Sequence, residues 1–287
     1  MASLEEHAPA KVNLTLHVLG QRPDGYHELD SLVAFASVGD RVTLAPGTEL
    51  TITATGPFAS AINDGNLVLE AARLAAKAQP GLRLGAFTLE KNLPVAAGLG
   101  GGSSDAAAAL RLIARANPHL TSSIDWPAIA VRCGADVPVC LLGTAARMQG
   151  LGERVTPVGP LAGLGCVLVN PRLPLSTADV FRALAAPPLP ATERAAPWPG
   201  DLSSEAALLE FVRSGRNDLE PPALRLCPDV APVLARLTAS PGVSLARMSG
   251  SGPTCFALTA TFDAARRIAE RLSASEPGWW VAPATLG

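Results

Sequence analysis

From Lys11 to Leu19 the chain reads KVNLTLHVL, with Val12, Leu14, Leu16 and Val18 alternating with Asn13, Thr15 and His17. A period of two predicts a half-buried strand. GQRPDGYHEL follows, and Pro23 with the pair Asp24-Gly25 marks a turn. Leu29 to Leu44 predicts further strand, broken at Gly39-Asp40. Between Asn66 and Ala78 the spacing changes: Leu67, Ala71, Leu74, Ala75 and Ala78 recur at helical intervals, with Asn66 as cap. Leu82 to Glu90 predicts a strand, and Ser104 to Ala116 is an alanine-rich helix stopped by Asn117-Pro118.

Downstream, Asp125 to Arg132 predicts a short helix and Gly165 to Val169 an apolar strand. Pro232 to Ala239 and Phe262 to Ala274 predict helices. Between them, Gly242 to Thr259 predicts two strands around a glycine cluster, SGSGP. Ala185 to Gly200 is proline-rich and predicts a loop. Strands mixed with helices in this way indicate α+β layers, with a boundary in the stretch Gly150 to Val169.

The stretch LPVAAGLGGGSSDAAAAL, Leu93 to Leu110, joins a predicted strand to a predicted helix. At such a junction free backbone N–H groups and the positive end of the helix dipole stabilise an anion. Glycines let successive amides turn toward one phosphate, and Ser103 and Ser104 add hydroxyl donors or cap the helix. The same residues also suit a tight turn. No lysine follows the glycines, so this is not a Walker A loop. GxGxxG from Gly98 fails at Ser103, and the HRD and DFG motifs of protein kinases are missing.

Composition narrows the class. The 287 residues carry 23 Lys+Arg against 25 Asp+Glu, a net charge of −2, so the totals imply no basic nucleic-acid-binding face. With 48% hydrophobic and 17% charged residues, the chain is globular and long enough for two domains. Five cysteines without a CxxC pair predict reduced thiols, neither a disulfide framework nor a zinc site. The polar N-terminus and the lack of an apolar run of about 20 residues predict a cytoplasmic protein without a membrane partner. No cluster of carboxylates or histidines predicts a protein-held metal.

PVAAGLGGGSSDAA, Pro94 to Ala107, resembles the phosphate loop of the galactokinase–homoserine kinase–mevalonate kinase–phosphomevalonate kinase (GHMP) superfamily. PAKVNLTLHVLGQRPDGYHEL (Pro9 to Leu29), CGADVPVCLLG (Cys133 to Gly143) and ARMSGSGPTCFAL (Ala246 to Leu258) resemble one branch of it. That branch phosphorylates the 2-hydroxyl of 4-diphosphocytidyl-2-C-methyl-D-erythritol in the non-mevalonate isoprenoid pathway. GLGE at Gly150 and NDLE at Asn217 agree.

The resemblance implies a two-domain α+β fold: a ribosomal-protein-like N-terminal domain over 1–157 and a ferredoxin-like C-terminal domain over 158–287. It implies ATP on Pro94, Val95, Ala96, Ala97, Gly98, Leu99, Gly100, Gly101, Gly102, Ser103 and Ser104. Mg²⁺ would arrive with ATP, bridging phosphate oxygens. Asp136 would orient or deprotonate the acceptor hydroxyl, and Lys11 would lower that hydroxyl's pKa or hold Asp136 ionised. By itself, Asp136 also suits a helix or turn cap, and Lys11 a solvated strand end. Tyr26 would stack on cytosine, His27 would hydrogen-bond its edge, and Phe181 would cover the other face. Thr177 on the same segment and Asn13 would contact the substrate. SGSGP would approach the phosphate loop. Two other readings stay open: a sister kinase acting on homoserine or mevalonate, and an RNA-binding protein sharing the N-terminal fold.

Overall fold

The computed structural model describes residues 3–62, 65–190, 198 and 200–287. In chain order it begins with β1 (Leu4–Gln21), β2 (His27–Gly47), β3 (Thr51–Thr55), α1 (Leu67–Ala78), β4 (Leu84–Glu90) and α2 (Gly101–Ala116). Next come α3 (Trp126–Cys133), α4 (Val137–Leu142), β5 (Ala146–Gly150), β6 (Arg154–Pro157) and β7 (Leu164–Asn170). The rest is α5 (Thr177–Leu184), α6 (Glu205–Ser214), α7 (Glu220–Leu226), α8 (Val230–Thr238), β8 (Val243–Met248), β9 (Cys255–Thr259), α9 (Phe262–Ser275) and β10 (Trp280–Leu286).

The chain divides into two compact units. One holds the residues up to Ala10 together with Gly39–Val95 and Gly100–Gly143; the other holds Lys11–Val38, Ala96–Leu99 and Thr144–Gly287.

In the first unit β3 and β4 pair in parallel through the crossover helix α1, and β4 pairs antiparallel with residues 41–47 of β2. Parallel neighbours need such a crossover, because a tight turn can only reverse the chain. Asn66 caps α1 by accepting from the Val68 N–H at 2.7 Å, as its position predicts. Asp125 likewise caps α3. Helices α1 to α4 pack on one another, and the alanines of α2, Ala106 to Ala109, are fully buried among them. Small side chains here let neighbouring helix axes approach closely, which is why the helix is so alanine-rich.

The break predicted at Gly39-Asp40 is absent, and β2 runs through both residues. Gly39 marks a close approach: a Cβ there would stand 2.3 Å from the Ala8 carbonyl oxygen. Asp40 is fully buried and fully used by hydrogen bonds described below.

The second unit contains β7–α8–β8–β9–α9–β10 in chain order and β10-β7-β9-β8 in sheet order, antiparallel throughout. This is the split βαβ arrangement of a ferredoxin-like fold. Val167 and Val169 of β7, Val233 and Leu237 of α8, and Ile268 and Leu272 of α9 meet in one core. Only one face of an amphipathic helix needs covering, and a sheet with two helices on it satisfies both partners.

The strand predicted from Lys11 starts earlier, at Leu4, and is not half-buried. Val12 and Leu14 on one face are enclosed, but so are Lys11, Asn13 and Thr15 on the other, at 4%, 3% and 2% exposure. Alternation of polar and apolar residues normally marks solvent; here it marks a buried polar stripe. All five cysteines are free and buried, and burial pushes the Cys166 thiol up to about 12. Of the proline-rich loop, residues 191–197 and 199 lie outside the described residues. No helix among those described is long and apolar enough to cross a membrane.

Candidate active site

The glycine run leaves β4 and turns into α2 through three left-handed residues: Ala96 at φ 51°, Gly98 at 73° and Gly100 at 60°. Gly100 caps α2 without a side-chain hydrogen bond, so the helix begins at Gly101, three residues before the predicted start. Serines were expected as caps, but Ser103 and Ser104 lie inside the first turn. The Ser104 N–H is already taken by the Gly100 carbonyl at 2.8 Å. Ser104 Oγ is buried without a protein partner, whereas Ser103 is half-buried and Gly102 exposed.

Gly102 is informative because the fold does not require it. A Cβ there would meet only Leu67 Cδ1, at 3.5 Å, which is ordinary contact. Glycine in a helix costs about 1 kcal/mol relative to alanine. A residue that costs stability and relieves no clash, at an exposed helix start with an uncapped dipole, fits close approach by a ligand oxygen.

Gly98 is required for the opposite reason. Its Cβ would stand 2.4 Å from the Ser249 carbonyl oxygen and 2.9 Å from the Gly252 nitrogen. The SGSGP turn does therefore lie against the glycine loop, as expected. Ser249 Oγ donates to the Gly98 carbonyl at 2.9 Å, and the Thr254 N–H donates to the Ala97 carbonyl at 3.3 Å. The Lys11 N–H donates to the Leu99 carbonyl at 2.8 Å.

Beneath the loop's start, in the first unit, lies a cluster not predicted from the sequence. Lys91 Nζ, 2% exposed, donates to Asp40 Oδ2 at 2.5 Å and to Asp105 Oδ2 at 2.6 Å. Asp40 Oδ1 accepts from the N–H groups of Asn92 and Leu93 at 2.6 and 2.8 Å. The backbone entering the loop is thus bonded to a buried carboxylate. One ammonium faces two carboxyl groups, so ionising both would bury a surplus negative charge. Desolvation raises Asp105 to about 7, against the pull of Lys91, and Asp40 adds to the rise. Lys91 itself is held above its ordinary value by the two carboxylates, in spite of burial. Its rarity was the available signal: it is one of only three lysines.

Helix α5 carries two of the predicted substrate residues. Thr177 and Phe181 stand four apart and share a face. Thr177 Oγ1 lies 2.8 Å from Ser251 Oγ of the SGSGP turn. The Phe181 ring packs 5.0 Å from that of His27. Burial pushes His27 below its ordinary value, so it is neutral near pH 7 and can both donate and accept. Tyr26 is 62% exposed, at the end of a tight turn closed by Arg22 N–H to the Tyr26 carbonyl at 2.7 Å. Its ring is thus presented outward without core packing of its own.

Asn13 donates its Nδ2 to Ser31 Oγ at 2.8 Å, and its own N–H to Ser249 Oγ at 3.1 Å. Asn217, in NDLE, donates Nδ2 to the carbonyls of Met248 and Gly250, both at 2.8 Å. Glu220 of the same segment accepts from the Met248 N–H at 2.8 Å. NDLE therefore holds the SGSGP turn in shape, a role its spacing alone did not reveal. In the first unit, Asp136 occupies the N-cap position of α4, yet its side chain makes no cap hydrogen bond. Capping, the ordinary explanation for an aspartate there, does not apply. Among the described residues no group of three or more His, Cys, Asp or Glu is placed to hold a metal ion.

Comparison with known proteins agrees with this geometry. The model of the GHMP kinases N terminal domain matches residues 66–144, and that of GHMP kinases C terminal matches 199–277. A 4-diphosphocytidyl-2-C-methyl-D-erythritol kinase of Bradyrhizobium sp. is 51% identical over 99% of this chain and 97% of its own. The protein of that name from Methylorubrum extorquens is 52% identical over 100% of both. A crystal structure of 4-(cytidine 5′-diphospho)-2C-methyl-D-erythritol kinase superposes with TM-score 0.78 at 38% identity over 99% of each chain. Homoserine kinase from Cytophaga hutchinsonii shares the fold, with TM-score 0.71 at 19% identity over 100% of this chain and 95% of its own.

Proposed function

The chain belongs to the 4-diphosphocytidyl-2-C-methyl-D-erythritol kinases, a family within the GHMP kinases, and on that premise we propose a reaction and a role for each site residue. The enzyme transfers a phosphoryl group from ATP to the 2-hydroxyl of 4-diphosphocytidyl-2-C-methyl-D-erythritol, in the non-mevalonate isoprenoid pathway. The observation that carries the phosphate site is Gly102, a helix glycine with room for a side chain.

Residues 94–104 cradle the ATP phosphates, with the α2 dipole and free amides facing them. Mg²⁺ comes bound to ATP and neutralises charge on the phosphate oxygens. The residues present fit that arrangement, since amides and hydroxyls suit phosphate and no protein cage is needed. Asp136 accepts or orients the proton of the acceptor hydroxyl. Lys11, buried at 4% exposure, lowers that hydroxyl's pKa. Tyr26 and Phe181 stack on cytosine, with His27 bonding its edge, while Thr177 and Asn13 hold the rest of the acceptor. The boundary after Pro157 belongs to the same proposal; the two matched family segments fall on either side of it. The enzyme works in the cytoplasm on small molecules, without nucleic-acid or membrane partners.

Cytidine 5′-diphosphate tests the acceptor pocket directly. It is expected to inhibit competitively against the acceptor and not against ATP. No inhibition would reject the cytidine pocket and favour a sister acceptor such as homoserine or mevalonate.

A further inference from the structure

Two side chains and one backbone carbonyl in the second unit form a relay whose polarity is fixed. The Thr15 carbonyl can only accept, and Ser31 Oγ stands 2.6 Å from it, so the single Ser31 hydroxyl proton is committed there. Ser31 can then only accept from Asn13, 2.8 Å away. The Asn13 atom facing Ser31 must therefore be the amide Nδ2. Its Oδ1 is turned away from Ser31 as a consequence. An asparagine's orientation is normally inferred from its surroundings; here one backbone carbonyl dictates it.

The outward Oδ1 is buried and has no protein hydrogen-bond partner. It faces the SGSGP turn, 3.2 Å from where a Cβ on Gly250 would stand. Gly250 is left-handed at φ 57°, and the same Cβ would lie 3.1 Å from the Gly98 carbonyl. A buried acceptor without a partner calls for a donor that is not part of the protein. A phosphate oxygen fits poorly, because it can only accept and the neighbouring Gly98 carbonyl is also an acceptor; a hydroxyl donates one bond without adding charge.

We propose that Ser31 is a positioning residue for the acceptor alcohol: it locks the Asn13 carboxamide so that Oδ1 accepts from a substrate hydroxyl. The site then selects for a hydroxyl donor at that point of the acceptor. Without Ser31 the amide is free to flip and to present Nδ2 instead. This inference rests on the kinase reading above, in which Asn13 holds the acceptor.

A double-mutant cycle tests it. Acceptor and ATP Michaelis constants are measured for wild type, Ser31→Ala, Asn13→Ala and the double variant, with melting curves confirming folding. Ser31→Ala is expected to raise the acceptor KM about 3–10-fold and leave the ATP KM within about twofold. In the Asn13→Ala background the same change adds nothing, because Ser31 acts only through Asn13. Ser31→Cys keeps the shape with a weaker acceptor and falls between wild type and Ser31→Ala; it replaces Ser31→Ala in the cycle if that variant does not fold. Additive effects, or parallel rises in both KM values, would overturn the positioning role while leaving the kinase reading intact. Wild type inactive on the cytidine acceptor would instead overturn the kinase reading, and this inference with it.

Discussion

Ser249 Oγ donates to the carbonyl of Gly98 at 2.9 Å, while the Ser249 carbonyl lies 2.4 Å from where a Cβ on Gly98 would sit. The contact admits glycine alone, and the left-handed φ of 73° adds to the requirement. Gly98→Ala is therefore expected to lower stability by about 2–4 kcal/mol, combining left-handed strain with overpacking. A denaturant midpoint within error of wild type would show that the two segments separate freely.

Gly102→Ala should behave in the opposite way. The added methyl has room, and alanine favours helix, so stability should rise by up to about 1 kcal/mol. The ATP KM should nonetheless rise at least about tenfold, because the methyl occupies the path of a phosphate oxygen. Greater stability with an unchanged ATP KM would place the phosphate elsewhere.

Asp105 gives a pH dependence. Its carboxyl is raised to about 7 in the folded protein, against an ordinary 3.8. Between those values the folded chain keeps a proton that the unfolded chain has released. Stability contributed by this group must therefore fall as pH rises from about 4 to about 7, and level off above. The raised lysine of the pair titrates above its ordinary 10.5 and does not enter this window. Asp105→Asn keeps an acceptor for Lys91 and removes the surplus charge. Its melting temperature, relative to wild type, should increase between pH 5 and pH 8, by the equivalent of about 1–3 kcal/mol. A constant difference across that range would mean that Asp105 stays ionised throughout.

Tyr26 is the most exposed of the large apolar side chains among the described residues, and truncating it should leave stability unchanged. Tyr26→Ala should raise the KM for the cytidine acceptor by about 5–100-fold, matching ~1–3 kcal/mol of stacking, with the ATP KM unaffected. Equal rises in both would indicate general damage to the turn.

Much of this was legible in the sequence because local signals and fold agreed. Asn66 and the period of Leu67 to Ala78 fixed a helix, since a cap and helical spacing act within one turn. The turns of the glycine loop were readable because left-handed backbone calls for glycine. The continuity of β2 was not readable. Gly39 and Asp40 look like a turn, and only Ala8 and Lys91, distant in sequence, make them a close strand approach and a buried charge. The buried polar stripe of β1 was hidden for the same reason: alternation shows that two faces differ, not that one is wet. Asp105, Ser31 and Asn217 carry common residue types at ordinary spacing. Their roles depend wholly on partners 14 to 51 residues away for the lysine cluster, and on the SGSGP turn for Asn217.

The central claim is that Asp136 serves phosphoryl transfer to a cytidine-bearing alcohol. The most direct measurement is ADP release from MgATP by wild type and Asp136→Asn, with 4-diphosphocytidyl-2-C-methyl-D-erythritol, homoserine and mevalonate offered in parallel. Turnover with the cytidine compound alone, reduced at least about a hundredfold by Asp136→Asn with ATP binding retained, is the predicted result. Near-normal turnover by the variant, or turnover with homoserine or mevalonate instead, would contradict it.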